Sequence, residues 1–113
     1  MITLSSHVLD TTLGRPVADL TVRLERCETS GAFCVLCHAV TDENGRIADV
    51  AQPLGLGLYR LIFETGPYLR AQHGQAEAFY PEITVMFRLA TPGEHYHIPL
   101  LLSPFGYSTY RGS

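Results

Sequence analysis

The sequence contains no lysine. That removes Schiff-base chemistry and the phosphate-loop lysine from the functions open to it. Charge of either sign is sparse: charged residues make up 17% of the chain, the formal net charge is −3 and no basic patch is clustered. Nucleic acid is therefore not an expected partner. No apolar run approaches the roughly 20 residues of a membrane span. Met1-Ile2-Thr3-Leu4-Ser5-Ser6 has neither a positive n-region nor an apolar h-region, so the expectation is no secretory signal, no membrane and a cytoplasmic address. Cysteine is scarce and odd in number, three in all, which fits free buried thiols better than a disulfide framework.

What is present is a strand-forming pattern. The 113 residues, 46% of them hydrophobic, suffice for one domain over 1–113 with a core of its own. Apolar side chains alternate with a period of two in Ile2, Leu4 and Val8, in Leu20, Val22 and Leu24, and in Phe33, Val35, Cys37 and Ala39. They do so again in Tyr59, Leu61 and Phe63, and in Ile83, Val85, Phe87 and Leu89. Each row reads as a half-buried strand. Turn signals separate them at Gly14-Arg15-Pro16, Ser30-Gly31, Glu43-Asn44-Gly45, Gly55-Leu56-Gly57, Thr91-Pro92-Gly93 and Pro104-Phe105-Gly106. Seven or eight short strands at this spacing predict an all-β fold, a two-sheet antiparallel β-sandwich. One short helix is expected over Tyr68–Phe79, carrying Gly74 inside and stopped by Pro81.

Cys34-Val35-Leu36-Cys37-His38 spells the haem-attachment pattern, and with Cys27 it raises the question of zinc. On a regular strand, residues three apart face opposite sides, so Cys34 and Cys37 are not expected to converge on one metal or haem edge. No second Cys or His pair stands at zinc-finger spacing.

Two other polar elements carry more chemistry. In the first strand His7 lies on the face opposite Leu4 and Val8; in the strand from His95, the residues His95, His97 and Pro99 share one face and Tyr96, Ile98 and Leu100 the other. Both strands thus place imidazole on the less hydrophobic face, and Arg46 follows a turn that can aim its guanidinium at a ligand. Paired histidines with an arginine suit activation of water. The alternative is that backbone carbonyls satisfy both histidines and that Arg46 is a solvated turn residue. The final stretch, His95 to Ser113, ends on Tyr110-Arg111-Gly112-Ser113. It reads either as an end that is held and used, or as an ordinary last hairpin with a polar tip.

Ser6-His7-Val8-Leu9-Asp10, Gly14-Arg15-Pro16, Asn44-Gly45-Arg46, His97-Ile98-Pro99-Leu100 and Tyr110-Arg111-Gly112-Ser113, taken in this order and spacing, resemble the transthyretin-related 5-hydroxyisourate hydrolases. The similarity runs from about Leu4 to the last residue. Its most specific element is the terminal Tyr-Arg-Gly-Ser, which separates these enzymes from the hormone carriers of the same fold. The resemblance implies a transthyretin-like sandwich of eight strands with a short helix after the fifth. It implies a homotetramer with active sites in a channel at the dimer–dimer interface. It also implies hydrolysis of 5-hydroxyisourate to 2-oxo-4-hydroxy-4-carboxy-5-ureidoimidazoline in urate breakdown, with no cofactor and no metal. Carried over residue by residue, the catalytic groups are His7, Arg46, His97 and Ser113, and the substrate is bound by His7, Arg46, Tyr110 and Arg111. Departures are small: Asn44-Gly45-Arg46 stands where Asp-Gly-Arg is commoner, and Phe33 where tryptophan is frequent. Two other classes remain open, a carrier of hydrophobic ligands and an interaction sandwich with no site. A carrier channel would be lined by aliphatic side chains and would not need these histidines or the polar tail.

Overall fold

Rows of alternating apolar residues fold onto one another as two sheets. The computed structural model describes residues 2–50 and 53–112. Among these the element order is β1 (Thr3–Asp10), β2 (Arg15–Pro16), β3 (Thr21–Cys27), β4 (Phe33–Val40), β5 (Arg46–Ile47), β6 (Gly57–Phe63), α1 (Gly66–His73), β7 (Ile83–Leu89), β8 (His95–Ser103) and β9 (Gly106–Thr109). One sheet runs β2-β1-β8-β9, with β5 also paired to β1; the other runs β4-β3-β6-β7. The strands number nine, against seven or eight expected, because β2 and β5 are two-residue pairings along one edge of β1. Pairing is antiparallel throughout except between β1 and β8, which run parallel. No helix among the described residues is long and apolar enough to cross a membrane.

The inner faces carry the predicted rows. Leu4, Val8, Leu24, Tyr59, Phe63 and Leu100 are all at most 1% exposed, and each such side chain withdrawn from water contributes roughly 1.5–3 kcal/mol of transfer free energy. The rows of β3, β6 and β7 fall on the core face as expected. The row in β4 does so only at Cys37 and Ala39, not at Phe33 and Val35. Leu24 pairs with Cys37 but Glu25 with Val35, so Leu36 is an extra residue in a β-bulge. The bulge resets the alternation. Cys34, opposite Arg26, and Cys37, opposite Leu24, therefore share one face instead of opposing faces, and Val35 turns outward. All three thiols are free and half-buried, not fully buried. Glu28 beside Cys34, and burial around Cys37, push these two thiols above their ordinary range.

The helix follows β6, since the short β2 adds one to the expected count. It occupies Gly66–His73, with Pro67 in its first turn. It ends at Gly74, which adopts a left-handed conformation with φ 65°. Gly74 is thus the C-terminal stop and not an interior residue, and the expected continuation to Phe79 does not form.

Asp10, at the end of β1, ties this helix to the first sheet. Its Oδ1 accepts from the Thr12 and Leu13 N–H groups at 2.9 and 2.8 Å, and its Oδ2 accepts from Tyr68 Oη and His73 Nε2, both at 2.6 Å. Burial alone would raise the Asp10 pKa. The bonds from Tyr68, Leu13 and His73 outweigh that and hold it below the ordinary 3.8. Burial, together with this same bond, pushes Tyr68 up to about 12. Because the folded pKa of Asp10 lies below the unfolded one, its contribution is complete above the unfolded pKa and is lost as pH falls through the folded value. Asp10→Asn is expected to cost about 3–5 kcal/mol in urea unfolding at neutral pH. The gap between variant and parent should begin to narrow as pH falls below about 4, where the unfolded carboxyl protonates, and close only below the lower folded pKa of Asp10.

Candidate active site

Strand register assembles the site on the outer face of the first sheet. Along the parallel β1–β8 pairing, Thr3 lies opposite His95, Ser5 opposite His97 and His7 opposite Pro99. Along β1–β5, His7 lies opposite Arg46. Odd-numbered positions of β1 face outward because Leu4, Ser6, Val8 and Asp10 face the core. Three chain segments thus deliver His7, Arg46, His95 and His97 to one surface.

The turn before Arg46 is built for this approach. Asp42 Oδ1 accepts from the Asn44 and Arg46 N–H groups at 2.8 and 2.9 Å, and Val8 N donates to Gly45 O at 2.8 Å. Gly45 has φ 75°, and a methyl group there would overlap the Val8 carbonyl oxygen. Only glycine allows the turn to lie this close to β1. The Arg46 guanidinium, exposed, makes no ion pair among the described residues. It lines both of two adjoining depressions: one of about 290 Å³ with Ser5, His95 and His97, and one of about 300 Å³ with His7, Pro16 and Asn44.

The two expected histidines differ in state. His7 Nε2 lies 2.8 Å from the Asn44 carbonyl oxygen. A carbonyl can only accept, so Nε2 carries hydrogen and a neutral His7 ring has its lone pair on Nδ1. His97 Nδ1 lies 2.7 Å from Ser5 Oγ. Partial burial, then the positive charge of Arg46 and the neighbouring His7 and His95 rings, hold His97 below its ordinary 6.5. It is therefore a neutral imidazole at pH 7.

His95 is a member of this group that the sequence reading placed on the right face without a role. Its Nε2 lies 2.9 Å from the same Ser5 Oγ, and its Nδ1 lies 2.6 Å from Thr3 Oγ1. The available signal was the two-residue spacing of His95 and His97.

The tail is placed in part as expected. Gly112 N donates to His97 O at 2.7 Å, and a Cβ on Gly112 would sit 2.6 Å from His97 Cδ2. The tail backbone therefore packs against the imidazole. The side chains of Tyr110 and Arg111 do not join His7, Arg46 and His97 within one chain. The pairings Leu100–Thr109 and His97–Gly112 put Arg111 level with Ile98, whose side chain faces the core. Arg111 pairs with Glu94 at 2.5 Å and stacks over Tyr96 at 4.3 Å from the ring centroid. With Tyr110, Met86 and Phe87 it lines a separate cavity of about 320 Å³ between β7 and β8. Ser113 lies outside the described residues. Among the described residues, no three His, Cys, Asp or Glu side chains converge to hold a metal ion.

Comparison with known proteins agrees with this geometry. A 5-hydroxyisourate hydrolase from Salmonella dublin is 43% identical over 112 residues, covering 97% of this chain and 80% of the relative. The solved structure of Klebsiella pneumoniae 5-hydroxyisourate hydrolase is 41% identical, covers 98% of this chain and 99% of that one, and superposes with a TM-score of 0.81. The transthyretin of Sparus aurata is 28% identical, with a TM-score of 0.87 over 96% of this chain and 95% of that one. The profile described as "HIUase/Transthyretin family" matches residues 4–112. A match over so nearly the whole chain, on a sandwich of the same shape, means that this protein belongs to the HIUase/Transthyretin family.

Proposed function

We propose that this protein hydrolyses 5-hydroxyisourate to 2-oxo-4-hydroxy-4-carboxy-5-ureidoimidazoline, as a cytoplasmic enzyme of urate breakdown. The observation that carries this reading is the placement of His97, its pKa held below 6.5, on one polar surface with Arg46, which has no ion pair among the described residues. The substrate is a small, planar, polar bicycle whose six-membered ring opens at an amide-type C–N bond. Ring opening needs a water molecule stripped of a proton and an oxyanion stabilised on the attacked carbonyl.

His97 supplies the base, because an imidazole held neutral accepts a proton at Nε2 while Nδ1 stays bound to Ser5. Arg46 supplies a planar pair of donors to the developing oxyanion. His7, anchored through Nε2 to Asn44 O, offers Nδ1 to orient the water or a ring N–H of the substrate. Tyr110, Arg111 and Ser113 belong to substrate recognition in a homotetramer of 222-type symmetry, where the open face of one subunit is closed by another. An aliphatic ligand is poorly served by this surface, which disfavours the carrier function.

Freshly generated 5-hydroxyisourate, followed by ultraviolet absorbance, is expected to decay much faster with the protein than without it. An unchanged decay would refute the function. Sedimentation is expected to give a tetramer at micromolar concentration, and a stable monomer would remove the shared channel. Gly112→Ala tests the tail's contact with His97. Its Cβ must displace either the ring or the tail, and a misplacement of about 1 Å at a reacting group can cost on the order of 10²-fold in rate. That loss is expected in kcat with the thermal midpoint nearly unchanged; full activity would show that the tail does not fix the ring.

A further inference from the structure

Ser5 has so far served only as the partner of His97 Nδ1 and His95 has had no part, yet together they extend His97 into a continuous chain. Ser5 Oγ lies 2.7 Å from His97 Nδ1 and 2.9 Å from His95 Nε2, and His95 Nδ1 lies 2.6 Å from Thr3 Oγ1. Ser5 is 8% exposed, His97 is half-buried and His95 is exposed. A serine hydroxyl has one proton to donate, and these two rings are its side-chain partners among the described residues. When Ser5 donates to His95 Nε2, it accepts from His97 Nδ1–H, and His97 Nε2 holds a lone pair. When Ser5 donates to His97 Nδ1, it accepts from His95 Nε2–H, and His97 Nε2 holds hydrogen. The tautomers of the two histidines are thereby coupled through one oxygen.

We propose that Ser5 and His95 are positioning residues that set the His97 tautomer and carry its proton to the solvent-facing His95 ring and back. The inference rests on His97 being the base of the proposed reaction. As water attacks the carbonyl, its O–H bond breaks and the proton goes to His97 Nε2. The Nδ1 proton of His97 passes to Ser5 Oγ while the Ser5 hydroxyl proton passes to His95 Nε2. Charge thus leaves a ring that Arg46 from β5, His7 from β1 and partial burial all make a poor site for a cation, and reaches one that water can solvate. On C–N cleavage the same steps run in reverse: Nε2 of His97 protonates the leaving nitrogen, Ser5 returns a proton to Nδ1, and His95 returns one to Ser5. No external donor or acceptor is consumed, and Thr3 holds His95 in line throughout.

Three variants and one spectroscopic measurement test the relay. Ser5→Ala removes the shared oxygen and is expected to lower kcat by on the order of 10–10²-fold with KM within about threefold. The acidic limb of its kcat/KM profile should move to lower pH, because His97 loses the partner that shared its charge. Ser5→Thr keeps the hydroxyl and should restore most of the rate. His95→Asn, an exposed change that leaves the core intact, should lower kcat similarly. The double variant Ser5→Ala/His95→Asn should be no slower than the slower single variant, since both break one chain. A kcat within twofold of the parent in either single variant, multiplicative losses in the double, or no rescue by threonine would each overturn the proposal. Imidazole ¹⁵N shifts separate this failure from failure of the hydrolase function. In the folded protein, with or without turnover, neutral His97 and His95 should show the same tautomer, both Nδ1–H or both Nε2–H, a match that is lost in Ser5→Ala; should Ser5→Ala not fold, His95→Asn should shift the His97 tautomer. Unchanged shifts would also refute the relay.

Discussion

Replacing His97 by glutamine is expected to lower kcat by on the order of 10²–10⁴-fold, the range in which a general base acts, and to leave the sandwich folded. Its neighbourhood explains both halves of the expectation. His97 is half-buried on the outer face of β8, so its loss opens no core cavity; the residues that hold β8 in place are Tyr96, Ile98, Leu100 and Leu102 on the other face. An amide has no basic lone pair at the Nε2 position, so the proton from water has nowhere to go. His7→Asn should fall in the same range, because base and orienting partner act as a unit and neither loss can be compounded fully by the other. Arg46→Lys should fail as well: an ammonium is a point charge, whereas the two depressions that meet at Arg46 call for a planar group reaching both. Steady-state rates with purified variants of unchanged circular dichroism decide the matter. A His97→Gln enzyme within tenfold of the parent would move the base elsewhere, with His7 Nδ1 the remaining candidate.

Much of this arrangement was legible in the sequence because β1 and β8 are regular strands, whose side chains alternate faces residue by residue. The position of His7 against Leu4 and Val8, and of His95 and His97 against Tyr96 and Ile98, followed from a period of two, and the outer face they share is where the structure gathers them. Local punctuation was less dependable. Leu36 carries no mark of a bulge: Val35, Leu36 and Cys37 are all acceptable on a half-buried strand, and only pairing with Leu24 and Glu25 decides which is the extra residue. The helix was read too far because Tyr68–Phe79 is helix-compatible in composition, whereas the left-handed backbone at Gly74 is fixed by how the chain must turn toward Pro81. The coupling of His97 to His95 was not legible at all. It runs through Ser5, about ninety residues away in sequence, a small hydroxyl with no motif of its own, and it exists only because β1 and β8 pair in parallel at that register.

Deleting Tyr110 to Ser113 is expected to abolish turnover, a loss of at least about 10³-fold, while leaving a folded protein. Of these four, the described residues Tyr110 to Gly112 make few contacts that a stable core requires. Their anchors are the Gly112 N–H on His97 O, the Arg111–Glu94 ion pair and the Arg111 stack on Tyr96, all on or near the surface, where an exposed ion pair contributes under about 1 kcal/mol. Pairing of β9 with β8 ends at Thr109, whose hydroxyl still donates to Pro99 O at 2.7 Å, so the truncated strand keeps its last tie. The effect on rate has a different origin. Without Gly112 the His97 imidazole keeps its Ser5 contact at Nδ1 but loses the backbone that packs against its Cδ2 edge, and a ring less firmly held gives up part of the orientation that makes an intramolecular base effective. Loss of Tyr110, Arg111 and Ser113 removes the groups proposed to recognise the substrate, and these effects act on the same transition state. Arg111→Ala is the informative partial variant. It frees the tail from Glu94 and Tyr96 without shortening it, and should sit between the parent and the deletion in kcat/KM. If the truncated protein turns over 5-hydroxyisourate at the rate of the full chain, the tail has no catalytic part, and the feature that separates an enzyme from a carrier on this fold is lost.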